Sequence, residues 1–197
     1  VGRGAQTGVL VKNAEALERM KKGDTLVVDK TGTLTEGKPK VIAIRTAAGW
    51  TDDDLLQLAA SVERASEHPL AQAIVNAADE RKLALSEPEG VDSPVGKGVL
   101  GRAGGRLVVI GNTRFLGEQG IATDLLHAPA EQMRLDGATA IYVGVDGKAA
   151  GVIGIADPVK ASTPEALTAL KQAGIKVIML TGDNRVTAEA LARRLGI

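Results

Sequence analysis

The sequence predicts an α/β protein in which one parallel layer is built from both ends of the chain and interrupted by an antiparallel α+β insertion. Three observations lead there. Thr25–Asp29 and Ile175–Leu180 are continuous apolar runs that end in short, glycine-containing polar loops, as buried parallel strands do. Gly104-Gly105 and Asp146-Gly147 each sit between two strand-like runs and mark hairpins in the middle of the chain. The helical patterns cluster after the apolar runs and between the hairpins. The resulting division is 1–23 as a helical extension, 24–39 with 156–197 as the parallel layer, and 40–155 as the insertion.

Each element has its own local cause. Val9, Leu10, Ala14, Leu17 and Met20 fall at helical spacing and predict a first helix. Lys40–Thr46 alternates as a strand. Thr51 before Asp52, Asp53 and Asp54 predicts a capped helix start matched to the helix dipole. Pro69 suits the first turn of a helix running to about Lys82. The first hairpin pairs Gly98–Arg102 with Arg106–Ile110, and the second pairs Ala138–Val145 with Ala149–Ile155. Short helices are expected from Asn112 and over Ala130–Leu135. Ser162-Thr163-Pro164-Glu165 spells a capping box, and Gly174 should stop its helix. A last helix runs to Leu195.

Composition excludes several classes of function. The 24 basic and 24 acidic residues cancel, leaving no basic footprint for nucleic acid. Aromatics make up 2% of the 197 residues, too few for base stacking along a strand. The absence of cysteine rules out disulfides and thiolate metal sites, and two histidines, His68 and His127, do not make a metal cage. No apolar run approaches the ~18 residues of a spanning helix. Val1-Gly2-Arg3-Gly4 at one end and Leu195-Gly196-Ile197 at the other, where a strand is due, are what a piece of a longer chain would show.

The chemistry concentrates at the two strand ends. Ligands of parallel sheets bind beyond the carboxyl ends of strands, where Asp29 and Thr181 fall. A carboxylate there can act as a nucleophile through an acyl phosphate. Lys30, Thr31, Gly32 and Thr33 follow in a loop whose N–H groups can receive phosphate oxygens. The Thr181 hydroxyl, followed by Gly182, can hold the transferring phosphoryl group, and such transfers use Mg²⁺. Gly96-Lys97-Gly98-Val99-Leu100-Gly101 spells GxGxxG but leads into a hairpin, so it is not a dinucleotide fingerprint; close backbone approach to a base or phosphate is the better use. His68 reads equally as a helix cap and as a neutral imidazole facing a purine.

The layout resembles haloacid-dehalogenase-type phosphatases, which usually carry a second Asp two residues after the nucleophile. Thr31 stands there, and a threonine cannot supply that general acid at neutral pH. Asp29-Lys30-Thr31-Gly32-Thr33-Leu34-Thr35 matches the phosphorylation signature of P-type ATPases. Thr181-Gly182-Asp183 is similar to that family's second motif, and Asp157-Pro158 with Lys160 to its hinge motif. Ser66-Glu67-His68-Pro69-Leu70 resembles the nucleotide-domain signature of the soft-metal branch, most like bacterial copper(I) transporters, with zinc/cadmium exporters sharing most of these motifs.

The resemblance implies ATP and Mg²⁺ as cofactors. It implies Asp29, Lys30, Thr31, Thr181, Gly182 and Asp183 as catalytic residues, and Asp29 with Thr31 as Mg²⁺ ligands whose third partner lies outside the chain. It implies Glu63, Glu67, His68, Gly96, Gly98, Gly111 and Asn112 around ATP or ADP, with Glu63 accepting a hydrogen bond from the adenine amine. It further implies that 1–23 extends from a membrane helix, and that the partners are the membrane, actuator and metal-binding domains of one polypeptide at the cytoplasmic face of a membrane.

Overall fold

The computed structural model describes residues 22–197 together with Gln6, Asn13, Glu15 and Glu18. The helix expected over Val9–Met20 therefore lies outside the described residues. In chain order the elements are β1 (Thr25–Asp29), β2 (Lys40–Thr46), α1 (Asp52–Glu63), α2 (Pro69–Glu80), β3 (Glu89–Asp92), β4 (Gly98–Ala103), β5 (Arg106–Gly111), α3 (Thr113–Glu118), α4 (His127–Leu135), β6 (Thr139–Val145), β7 (Lys148–Ala156), α5 (Thr163–Gln172), β8 (Lys176–Leu180) and α6 (Arg185–Leu195).

They form two sheets. β1 and β8 pair in parallel, with Asp29 opposite Leu180. β2-β7-β6-β5-β4-β3 form a six-stranded antiparallel sheet. Residues about 150 apart in sequence thus close the parallel pair, and the antiparallel sheet is strung between them. The hairpins turn at Gly104-Gly105 and at Asp146-Gly147, all four residues with positive φ, as the turn chemistry requires. β3, a four-residue edge strand, carries no period-2 apolar signal and was not legible in the sequence.

The antiparallel sheet holds the core. Ile44, Val108, Ile110, Val143, Val145, Ile153 and Ile155 point to one face, against Leu55, Leu56, Ala59, Val62 and Ile74 of α1 and α2. Val109, Tyr142 and Val152 point to the other, against Phe115, Leu116, Ala130 and Met133. Successive residues of β5, β6 and β7 therefore alternate between two cores, which is why these strands read as unbroken apolar runs.

Two expectations are corrected. β1 and β8 are not buried on both sides: Leu26, Val28, Val177 and Met179 are half-buried, while Val27 and Leu180 are 59% and 63% exposed. Among the described residues this sheet has two strands and only one covered face. The capping box also fails. Ser162 is itself helical (φ −80°, ψ −15°) and its side chain makes no cap bond. Instead Thr163 spends its hydroxyl on the Leu34 carbonyl, 2.8 Å away.

The other caps are as read. Thr51 accepts from the Asp54 N–H and Asn112 from the Phe115 N–H. Phe115 and Tyr142 are core residues, and the Arg106 guanidinium lies 4.7 Å over the Trp50 ring.

Gly98 is fixed by backbone proximity. Its φ is +153°, and a Cβ there would lie 2.0 Å from the Ile110 carbonyl and 2.8 Å from Phe115. Gly98→Ala is expected to destabilise the chain by about 3 kcal/mol, measured by urea denaturation, whereas Gly117→Ala, facing open space, should cost less than about 0.5 kcal/mol.

Candidate active site

The parallel pair sets Asp29 and Thr181 side by side at the carboxyl ends of β1 and β8, because Asp29 is in register with Leu180. Asp29 is exposed, and no described group hydrogen-bonds its carboxylate. After it the chain turns sharply: Thr31 is extended (φ −75°, ψ 123°) and Gly32 is left-handed (φ +75°). A side chain at Gly32 would be strained by that φ, which explains the glycine. Lys30 turns back to pair with Asp183, Nζ to Oδ2 2.6 Å, both largely buried. The Asp183 N–H donates to the Thr181 hydroxyl at 3.1 Å. The two motifs, 153 residues apart, are one polar cluster.

Asp157 and Lys160 fasten this loop from the returning chain. The Asp157 carboxylate accepts from the Thr35 hydroxyl, from the Gly37 N–H at 3.1 Å and from the Lys38 N–H at 3.0 Å. The Lys160 ammonium donates to the Gly32 carbonyl, and its own N–H to that of Leu34 at 3.1 Å. Thr35 is fully buried. Sequence reasoning placed Thr35 inside the heptapeptide without giving it a role, and it mistook Thr163 for a helix-cap neighbour.

A cavity of about 420 Å³ opens beside this loop, lined by Lys30, Thr31, Gly182, Asp183 and Asn184 on one side and by His68, Leu70 and Thr139 on the other. Asp29 and Thr181 sit at the neighbouring strand ends and are not part of its wall.

A second cavity, about 470 Å³, lies between the start of α2 and the β4–β5 ends. Glu63, His68, Gly96, Gly98, Gly111 and Asn112 all line it, although 49 residues separate the first from the last. Glu67 does not: it is exposed and lines neither cavity. Lys97 reaches out to Glu118, Nζ to Oε2 2.6 Å, and that hydrogen bond holds the Glu118 carboxyl below its ordinary range. Its ammonium is thus committed to the rim.

The structure shows the first of the two readings of His68, the helix cap. Nδ1 accepts from the Leu70 N–H at 3.2 Å, capping α2. An accepting Nδ1 carries no hydrogen, which leaves the ring hydrogen on Nε2, an atom with no described partner. The same ring lines both cavities, presenting a donor and a flat face.

Glu63, 8% exposed, has no described hydrogen-bond partner for its carboxyl, and burial pushes its pKa from 4.5 up to about 7.

The donor set bears on metals. Among the described residues no three His, Cys, Asp or Glu side chains converge on one point. Mg²⁺ is commonly held by one or two carboxylates, with phosphate and water oxygens completing its shell. An unpartnered Asp29 carboxylate beside Thr31 fits a Mg²⁺ that arrives with a phosphate.

A parallel strand pair with a carboxylate at its end and a large insertion after the first strand defines a class. The chain belongs to the haloacid dehalogenase-like hydrolase family, whose model matches residues 24–197. Along all 197 residues it is 54% identical to a silver-exporting P-type ATPase of Salmonella typhimurium and 52% identical to a copper-exporting P-type ATPase of Legionella pneumophila. It spans about a quarter of their length, 24% and 27%. A zinc-transporting PIB-type ATPase crystallised in its E2.Pi state superposes with a TM-score of 0.79 at 36% identity, over 98% of this chain and 31% of that one. The resemblance carried by the Asp29 heptapeptide is borne out. No described helix is long and apolar enough to cross a membrane.

The Glu63 shift has a definite sign. A carboxyl whose folded pKa is raised binds its proton more tightly when folded. Its contribution to stability is complete below about pH 4.5 and is lost as pH rises through about 7. Glu63→Gln should therefore stabilise the nucleotide-free chain by about 2–3 kcal/mol at pH 8, with the gain vanishing near pH 4. Urea denaturation at the two pH values checks this.

Proposed function

We propose that this chain is the nucleotide-binding and phosphorylation segment of a copper(I)- or silver(I)-exporting P-type ATPase. Residues 40–155 hold the nucleotide, 24–39 with 156–197 carry the phosphorylation site, and 1–23 leads from a membrane helix. One observation carries the reading. The cavity lined by Glu63, His68, Gly96 and Asn112 shares a wall with the cavity lined by Lys30, Thr31 and Asp183. A nucleotide with its base in the first can direct its phosphates into the second.

The residues have separable tasks. The Glu63 carboxyl, on a largely buried residue that lines the cavity, accepts from the adenine amine, which offsets its desolvation. His68 offers its ring face and Nε2–H. Gly96 faces open space and keeps a side chain away from the base, Gly98 and Gly111 bring bare backbone to the cavity because a Cβ on either would strike the neighbouring strand or Phe115, and Asn112 stays occupied as a cap. At the other end the Asp29 carboxylate attacks the γ-phosphorus. The new bond joins Oδ to phosphorus, the bond to the β-phosphate oxygen breaks, and ADP leaves with that electron pair.

Lys30, held by Asp183, and the Thr181 hydroxyl stabilise the phosphoryl oxygens. Mg²⁺, held at Asp29 and Thr31, neutralises phosphate charge when bound. Thr31 offers no general acid for attack of water, so the acyl phosphate lasts long enough to be coupled to transport. The other domains of the polypeptide, including membrane helices and a dephosphorylating domain, are the partners of that coupling. The names of the relatives at 54% and 52% identity favour silver and copper over zinc as cargo.

Three outcomes test this. The parent polypeptide, given ATP and Mg²⁺, should form an acid-stable, hydroxylamine-sensitive phosphoenzyme that Asp29→Asn abolishes; label retained in that variant refutes the nucleophile. Titration of this chain with ATP should move the NMR signals of His68 and Gly98, and unmoved signals refute the nucleotide cavity. Stimulation of the parent's ATPase by zinc but not by copper(I) or silver(I) would overturn the cargo.

A further inference from the structure

Three residues, His68, Leu70 and Thr139, line both cavities. They form the junction through which anything occupying both must pass. Leu70 offers only carbon there, and His68 has committed Nδ1 to its cap. Thr139 is half-buried, and no described group hydrogen-bonds its hydroxyl. Threonine hydroxyls at such depth commonly find a partner, so this one is available to a ligand.

The position of Thr139 is held on both sides. It opens β6 in register with Ile155 of β7. The carbonyl before it, on Ala138, accepts from the Thr187 hydroxyl of α6 at 3.1 Å, and both residues are buried. α6 begins directly after Thr181-Gly182-Asp183, so the start of β6 is tied to the element that follows the phosphorylation cluster. A hydroxyl carried on a strand and tied to that helix is preorganised in a way a loop residue is not.

We infer that Thr139 is a substrate-binding residue whose hydroxyl donates to a phosphate oxygen of a nucleoside di- or triphosphate, at the α/β segment that spans the junction between base and γ-phosphoryl group. The inference rests on the nucleotide reading of the two cavities. It extends that reading to a residue with no motif around it. The ligand class follows from geometry. With the base in the larger cavity and the γ-phosphoryl group at the strand ends, the segment crossing the junction is polyphosphate.

The test is calorimetric binding of ATP, ADP and adenosine to this chain and to Thr139→Val and Thr139→Ser. Valine keeps the β-branched shape that suits a strand and removes only the hydroxyl. Thr139→Val is expected to weaken ATP and ADP about five- to tenfold and to leave adenosine unchanged, with Thr139→Ser retaining wild-type affinity for all three. Unchanged ATP and ADP affinity in Thr139→Val, or an equal loss for adenosine, overturns the assignment. A melting temperature matching wild type excludes misfolding as the cause of any loss, and Thr139→Ser gives a second reading should Thr139→Val fold poorly. Failure of the underlying base assignment reads out elsewhere. Adenosine would then not bind the wild-type chain, and ATP affinity would be indifferent to His68→Ala, whatever Thr139→Val does to ATP and ADP.

Discussion

The Asp157 carboxylate is the contact on which the rest of the structure depends. The chain leaves the parallel layer after Thr35 and returns to it at Asp157, having built a six-stranded sheet on the way. One carboxylate ties the outgoing strand to the returning one by accepting from Thr35, Gly37 and Lys38. Hydrogen bonds to an ionised acceptor are among the stronger ones proteins make, and here three converge where only two threads of backbone connect the two sheets. Lys160 and Thr163 add bonds from the returning side to Gly32 and Leu34. The loop carrying Asp29 is thus fixed by residues more than 120 positions later in the chain.

That fastening explains how two cavities come to share a wall. The larger cavity belongs to the antiparallel sheet and the first turn of α2, and the smaller one to the loops after β1 and β8. Had the crossing threads been loose, His68, Leu70 and Thr139 would not face both. The Thr187–Ala138 hydrogen bond is a further tie, from α6 to the start of β6. The electrostatics are local to match. The net charge is zero, and of the ammonium groups at the loop after Asp29, Lys30 is balanced by Asp183 while Lys160 donates to the Gly32 carbonyl. Any anion entering there competes with Asp183 for the Lys30 ammonium, so the pair orients Lys30 at the cost of some of its attraction. Glu63 is the opposite case, a carboxyl on a largely buried cavity-lining residue, with no described cation beside it and its pKa raised by desolvation.

Much of this was written in local sequence. Each hairpin turn, the helix starts at Thr51, Pro69 and Asn112, and the strands beside Asp29 and Thr181 follow from turn chemistry, capping and apolar runs that act within a few residues. The loop after Asp29 was legible because seven consecutive residues carry its motif. His68 and the glycines of the larger cavity were legible as candidates, although Gly98 proved to be fixed first by the backbone of Ile110. Misreadings arose where a side chain had a distant alternative. The Ser162 capping box looked complete, but Thr163 finds a better acceptor at Leu34, and Ser162 turns helical. The apolar runs of β1 and β8 suggested burial on both faces, and only the pairing reveals that one face is open.

The sequence alone therefore determined the chemistry available: an aspartate with its loop, a lysine, two threonine-rich strand ends and a histidine able to cap or to contact a base. Those are properties of residue type and short spacing. The tertiary structure decided which of them meet. It brought Lys30 to Asp183, gave Nδ1 of His68 to the helix and left Nε2 free, set Glu67 outside both cavities, and placed Thr139 at their junction. The His68 cap is local, to Leu70; the other placements depend on residues about 50 to 150 positions apart, and contacts at that range leave no periodicity or local motif in the chain to read.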